Sequence, residues 1–123
     1  MKVKIYLRSI VKGGENCLAL FDSKRNGDIN DLTTEAQAGA SIVWKLDRCS
    51  GIKNMSGIYS KKEKHTLFKY DPKKRLLCEG FKVQLEKGAT GEEYYTIECI
   101  LCNGDVLKID PMIRVPPPPT KGG

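Results

Sequence analysis

Apolar and polar residues alternate with a period of two in several separate segments of this 123-residue chain. In KVKIYLRSI (2–10), the apolar residues Val3, Ile5 and Leu7 stand between basic or polar neighbours. Successive side chains of a β-strand point to opposite faces, so this rhythm is typical of strands that bury one face. The pattern returns in SIVWKLD (41–47), GFKVQLEKG (80–88) and YYTIECIL (94–101), and weaker strands are predicted for NCLALFD (16–22) and GIKNMSGIY (51–59).

No window of about a dozen residues carries apolar side chains at helical spacing. The nearest candidate is DLTTEAQAGA (31–40), which has a possible N-cap at Asp31. Its short length and Gly39 argue against a stable helix. Residues that favour turns, such as Gly, Asn and Pro, separate the predicted strands at intervals suited to hairpins.

These patterns predict an all-β fold, namely an antiparallel β-sandwich that is immunoglobulin-like in the broad sense, with seven to eight strands. A small barrel is the alternative. Trp44, flanked on its face by Ile42 and Leu46, is expected at the centre, where it would fill the gap of about 10 Å between two sheets. Residues 1–115 are predicted to form a single domain, followed by a Pro-rich tail over 116–123.

One turn is informative enough to predict a strand register. A two-residue loop at 103–104 would pair Cys99 with Lys108 and bury a lysine, which costs several kcal/mol. A three-residue loop at 102–104 instead pairs Cys99 with Leu107, and its glycine supplies the left-handed residue of a bulged turn. The same register pairs Ile97 with Ile109. We therefore predict the bulged hairpin.

Several classes of protein are disfavoured by the composition. No apolar run approaches the roughly 18 residues of a membrane span. Lys2, Lys4 and Arg8 interrupt the N-terminal apolar residues, so the first residues do not resemble a signal peptide. The odd number of cysteines, five, argues for reduced thiols. We therefore predict a cytoplasmic protein that makes no contact with a membrane.

Two cysteines have the spacing of zinc ligands, Cys99 and Cys102. Residues three apart on a strand point to opposite faces, so we expect Cys99 in the core and Cys102 outside or in the turn. We accordingly predict no metal and no cofactor. His65 is the single histidine; Cys78 and Asp71 are near it in sequence, but nothing in the sequence shows that they converge on it. The chain has no nucleophile-elbow, phosphate-binding-loop or metalloprotease motif. The chain is therefore predicted not to be an enzyme.

Residues 59–75 hold most of the excess charge. They carry seven basic residues and two acidic ones, a net charge of +5 out of +6 for the chain. Three interpretations stay open: a solvated or edge-guarding loop, beneath which Leu67 and Phe68 can be buried, a polyanion-binding site, or a contact with an acidic protein surface. The candidate polyanion-binding residues are Lys61, Lys62, Lys64, Lys69, Lys73, Lys74, Arg75 and Tyr70.

The C-terminal segment contains four consecutive prolines, Pro116 to Pro119. Because proline cannot donate to a strand ladder, the sheet is predicted to end by Val115. The prolines are expected to form a polyproline II rod, which is either an exposed tail or a peptide that a partner recognises. The candidate recognition residues are Arg114, Pro116, Pro117, Pro118 and Pro119.

Two segments resemble small bacterial β-sandwich proteins, among them the inclusion-body protein family. They are VWKLDRCSGI (43–52) and GEEYYTIECILCNGDVLKIDPMIRVPP (91–117), with a V-W-x-L strand, a Y-T-I hairpin and a closing D-P-x-I-x-V. The resemblance implies a compact all-β domain that self-associates, and it offers no catalytic residues.

We therefore predict a non-enzymatic module that binds a protein partner or assembles with copies of itself. The alternative function is binding of a polyanion such as nucleic acid through residues 59–75.

Overall fold

The computed structural model describes residues 1–21, 33–76 and 79–118, and all its regular elements there are β-strands. No helix in these ranges is long and apolar enough to span a membrane. The strands are β1 (Lys2–Lys12), β2 (Glu15–Phe21), β3 (Thr33–Glu35), β4 (Ser41–Leu46), β5 (Ile52–Ser60), β6 (Lys73–Lys74), β7 (Phe81–Gln84), β8 (Gly91–Leu101), β9 (Val106–Ile109) and β10 (Met112–Val115).

The strands form two sheets that pack face to face. The first sheet has the order β2-β1-β4-β7-β6, and the second has the order β3-β10-β8-β5 with β9 paired to β8. The predicted all-β sandwich is confirmed, and the barrel alternative is wrong. The predicted strand number was too low, since the described residues alone contain ten strands. The immunoglobulin-like connectivity stays a prediction.

Both sheets are mixed, which corrects the prediction of purely antiparallel pairing. Strand β1 runs parallel to β4, with Ile5 opposite Trp44, and β3 runs parallel to β10. The segment 31–40 supplies β3 in its described part, so the nearest helix candidate is a strand there. Alternation along a strand sets which side chains turn inward but carries no information on the direction of the neighbouring strand.

The core between the sheets is centred on Trp44, as predicted. Its side chain is fully buried on β4, the middle strand of the first sheet. The indole Nε1–H donates a hydrogen bond of 3.2 Å to the hydroxyl of Tyr95 on the second sheet. Phe68 packs edge-on against both rings, with centroid distances of 6.3 Å to Trp44 and 5.8 Å to Tyr95.

The β8–β9 hairpin has the predicted register. Cys99 lies opposite Leu107, and the same pairing joins Ile97 to Ile109. Gly104 has a φ of +94°, so the bulged turn contains a left-handed glycine as predicted. The last strand, β10, ends at Val115, as the prolines that follow require.

Candidate polyanion-binding face

The charges of the described strands separate by sheet. The strands of the first sheet contain one acidic residue, Glu15 of β2, and eight basic ones, which are Lys2, Lys4, Arg8, Lys12, Lys45, Lys73, Lys74 and Lys82. The strands of the second sheet contain four acidic residues, Glu35, Glu92, Glu93 and Glu98, and three basic ones, Lys53, Lys108 and Arg114. The domain is therefore electrostatically asymmetric.

Most of the cations of the first sheet lie on its outer surface, because the apolar residues that alternate with them face the core. We call this surface the basic face and define it by Lys2, Lys4, Lys45, Lys73, Arg75 and Lys82. Arg8, by contrast, is paired with Asp47, with Nη1 3.8 Å from Oδ2.

One cross-strand row of the basic face places like charges side by side. Lys73 of β6 lies directly opposite Lys82 of β7, and both side chains are exposed. Lys82 in turn lies opposite Val43, and Val43 lies opposite Lys4 of β1. Like charges directly opposite on neighbouring strands destabilise a sheet. The row is therefore an arrangement that a bound anion would stabilise.

The lysines of the basic face have no acidic partner in the part of the chain that the structure describes. The ion pairs there involve other cations, such as Lys61 with Asp110 and Lys108 with Glu98. Their ammonium groups are therefore available to neutralise the phosphates of a nucleic acid.

A depression of about 400 Å³ lies on the basic face, and we call it the Tyr70 cleft. Three cations, one aromatic ring and two polar side chains line it, namely Lys2, Arg75, Lys82, Tyr70, Ser41 and Gln84. The Ser41 hydroxyl donates a hydrogen bond of 2.7 Å to Gln84 Oε1. This pair joins β4 to β7 beside the cleft.

The connection between β6 and β7 holds Arg75 at the cleft. Its backbone N–H donates to the carbonyl of Gly80 at 3.0 Å, and its Nη1 donates to the carbonyl of Glu79 at 3.2 Å. Gly80 has a φ of +111°, and a Cβ atom there would lie 2.1 Å from the carbonyl oxygen of Trp44. Only glycine allows this close approach.

The basic segment 59–75 is anchored to the second sheet by one buried carboxylate. Glu93 Oε1 accepts hydrogen bonds of 2.9, 2.9 and 3.1 Å from the backbone N–H groups of Thr66, Leu67 and Phe68. Glu93 Oε2 accepts a bond of 2.8 Å from the Ser60 hydroxyl. The three backbone hydrogen bonds hold the middle of the segment inward, where Leu67 and Phe68 are buried.

The candidate polyanion-binding residues divide into groups. Tyr70, Lys73 and Arg75 join the basic face, where Lys73 Nζ lies 4.7 Å from the Tyr70 ring centroid. Lys74 is exposed on β6, the edge strand of the first sheet. This position agrees with the interpretation of an edge-guarding segment.

The remaining candidate polyanion-binding residues lie outside the Tyr70 cleft and outside the row that contains Lys73 and Lys82. Lys61 Nζ is 3.2 Å from Asp110 Oδ1. A hydrogen bond from the Thr96 hydroxyl, together with this ammonium group, holds the pKa of Asp110 below its ordinary value. Lys62, Lys64 and Lys69 are exposed and follow no common strand.

Four residues of the basic face were missed by reasoning from charge density, namely Lys2, Lys4, Lys45 and Lys82. They come from three strands that are distant in sequence, so no short window contains them together. The signal was the identity of the polar positions in the alternating segments, which are basic and not acidic in β1, β4 and β7.

The candidate recognition residues at the C-terminus are only partly described. Arg114 Nη2 lies 3.2 Å from Glu92 Oε2 on the neighbouring strand, so its guanidinium is engaged within the domain. Pro116, Pro117 and Pro118 are exposed and border a groove of about 390 Å³. Pro119 lies outside the described residues.

The two cysteines with zinc-like spacing occupy the predicted positions. Cys99 is buried, and Cys102 is exposed in the turn after β8. Burial, assisted by the charge of Glu98, raises the pKa of Cys99 to about 12. Among the described residues, no group of three His, Cys, Asp or Glu side chains could hold a metal ion.

The histidine pairs with one carboxylate and approaches another. His65 Nε2 lies 3.2 Å from Asp71 Oδ1, and Nδ1 lies 4.0 Å from Glu93 Oε1. The Glu93 carboxylate is occupied by the backbone bonds described above. Cys78, which is close to this segment in sequence, lies outside the described residues.

Comparison with known proteins indicates no function, so the physical properties of the basic face are the basis for the proposal below. No protein-family model and no curated protein matches this chain.

Proposed function

We propose that this domain is a non-enzymatic module that binds nucleic acid through the basic face of its first sheet. The observation that carries the proposal is the row in which Lys73 lies directly opposite Lys82, with Lys4 two strands further along. A phosphate between these cations would replace repulsion by attraction. Several such contacts along one strand of nucleic acid release counterions and provide affinity.

The alternative without a ligand is that the lysines only keep the domain soluble and protect a sheet edge. That explanation fits Lys73 and Lys74, which form an edge strand. Edge protection does not account for Lys2, Lys4 and Lys82, since β1 and β7 are interior strands of the sheet. An extended polyanion accounts for both groups, because it can cross all of these strands.

Nucleic acid is favoured over other polyanions by the aromatic side chain among the cations. Tyr70 lines the cleft together with Lys2, Arg75 and Lys82. Surfaces that bind nucleic acid without sequence preference combine a basic track with rings on which bases stack. A sulfated polysaccharide would use the cations but would gain no such stacking.

Two matched double variants test the proposal. Lys4→Glu with Lys82→Glu reverses two charges on the basic face, and Lys62→Glu with Lys64→Glu reverses two charges elsewhere in the basic segment. Both change the net charge equally. We expect the face variant to bind a fluorescein-labelled oligo(dT) about tenfold more weakly or worse, and the segment variant to bind nearly as well as the unsubstituted protein.

The salt dependence of the binding constant is a second readout of the same titrations, which follow the fluorescence anisotropy of the labelled oligo(dT). Loss of two phosphate contacts should flatten the slope of log K against log salt by about 1.4, at ~0.7 per contact for a single strand. The proposal fails if the unsubstituted protein does not bind oligo(dT) at low salt. It fails equally if the segment variant loses as much affinity as the face variant.

A further inference from the structure

We infer that the Tyr70 cleft holds one nucleotide of a bound strand, with its base against the Tyr70 ring, so that the domain prefers single strands to duplexes. The inference rests on the proposed function. It adds the strandedness of the ligand and identifies a residue that contacts a base.

The ring of Tyr70 is held in place before any ligand binds. It is half-buried and packs against the core, while Lys73 Nζ lies 4.7 Å from its centroid. The neighbouring backbone is fixed because the N–H of Lys69 donates to the carbonyl of Gln84 at 2.9 Å. A ring that already packs against its neighbours loses less conformational entropy when a base stacks on it.

The cations around the cleft are positioned for a phosphate next to that ring. Lys2, Arg75 and Lys82 belong to three different strands or their connections, and all three line the cleft. The Arg75 guanidinium has five donors, and its Nη1 is oriented by the Glu79 carbonyl. A phosphate in the cleft could therefore receive both a point charge from lysine and directional bonds from arginine.

The size of the cleft fits one nucleotide unit. Its volume of about 400 Å³ falls in the range of roughly 300–1,000 Å³ that is usual for small-ligand sites. A duplex would keep its bases stacked inside and could not place one against Tyr70.

The test compares strands that carry the same phosphates but differ in their bases. The probes are oligo(dT), an abasic strand of the same length, and a duplex that contains the oligo(dT) sequence. We expect the unsubstituted protein to bind oligo(dT) about 5- to 150-fold more tightly than the abasic strand, which corresponds to ~1–3 kcal/mol for a stacked base. The duplex should also bind more weakly than oligo(dT).

Variants at Tyr70 show whether this ring causes the preference for oligo(dT) over the abasic strand. Tyr70→Leu keeps an apolar side chain against the core but removes the aromatic face, so oligo(dT) should then bind no better than the abasic strand. Tyr70→Phe should keep most of the preference. Tyr94→Leu is the matched control, because Tyr94 is exposed on the second sheet. Thermal unfolding confirms that each variant is folded.

The experiment distinguishes a failure of the inference about Tyr70 from a failure of the proposed function. Equal affinity of the unsubstituted protein for oligo(dT) and for the abasic strand overturns the inference and leaves the proposed function standing. The inference is also overturned if Tyr94→Leu, and not Tyr70→Leu, abolishes the preference. Absence of binding to every probe overturns the proposed function itself.

Discussion

At the scale of single residues, the most consequential contacts are those of the Glu93 carboxylate. It is almost completely buried and accepts hydrogen bonds from Thr66, Leu67, Phe68 and Ser60. Hydrogen bonds to a charged group contribute about 1.5–3 kcal/mol each, and burial of unpaired donors is costly. No sequence pattern indicates this role, since Glu93 lies just before the alternating segment that begins at Tyr94.

We predict that Glu93→Ala lowers the free energy of unfolding by about 3 kcal/mol or more, because three backbone N–H groups lose their acceptor. Glu92→Ala is the control on the same strand. Glu92 forms only a partly exposed ion pair with Arg114, so its loss should cost about 1 kcal/mol or less. Urea denaturation measures both values, and similar losses in the two variants would contradict the role of Glu93.

The buried thiol and phenol of the core make stability depend on alkaline pH. Burial raises the pKa of Cys99 to about 12 and raises the pKa of Tyr95 as well. In the unfolded chain these groups lose their protons near pH 8.5 and 10. The unfolded state therefore binds fewer protons than the native state above about pH 8.5, and stability falls as pH rises further.

We predict a decrease of up to about 1.4 kcal/mol per pH unit for each of these groups above its unfolded pKa. In Cys99→Ala the slope of stability against pH should be shallower between about pH 9 and 11, whatever the cost of the cavity. Cys102→Ala, which removes an exposed thiol, should leave the slope unchanged. Identical slopes for Cys99→Ala and the unsubstituted protein in urea titrations would refute the assignment.

At the scale of elements, the two sheets protect their edges differently. The first sheet ends at β6, a strand of two exposed lysines, Lys73 and Lys74. The second sheet ends at β5, whose register is irregular between Ile52 and Asn54 and again between Met55 and Gly57. Charged residues and bulges both hinder the addition of a further strand.

We predict that Lys73→Val with Lys74→Val increases self-association, because the variant exposes an uncharged strand edge. Lys53→Val with Ser56→Val is the control on β5, where the irregular register remains and little change is expected. Sedimentation velocity at matched concentrations measures the effect. If the control variant associates as strongly as the β6 variant, lysine does not protect that edge.

At the scale of the whole molecule, sheet formation sorts the charge. Along the sequence the excess is concentrated in residues 59–75, which carry +5 of the net +6. In the folded domain, Lys61 turns toward Asp110, while Lys73 and Arg75 join cations of β1, β4 and β7. The proposed binding surface is therefore a property of the fold and not of any single segment.

The sequence by itself determined which side chains face the core, the central position of Trp44, the register of the β8–β9 hairpin and the end of the sheet at Val115. These features follow from local rules, because side-chain alternation, turn geometry and the missing N–H of proline act within a few residues. Only the tertiary structure decided the parallel pairing of β1 with β4 and the convergence of Lys2, Lys82 and Arg75 on one cleft. Pairing between distant strands depends on how whole segments pack, and no short window of sequence contains that information.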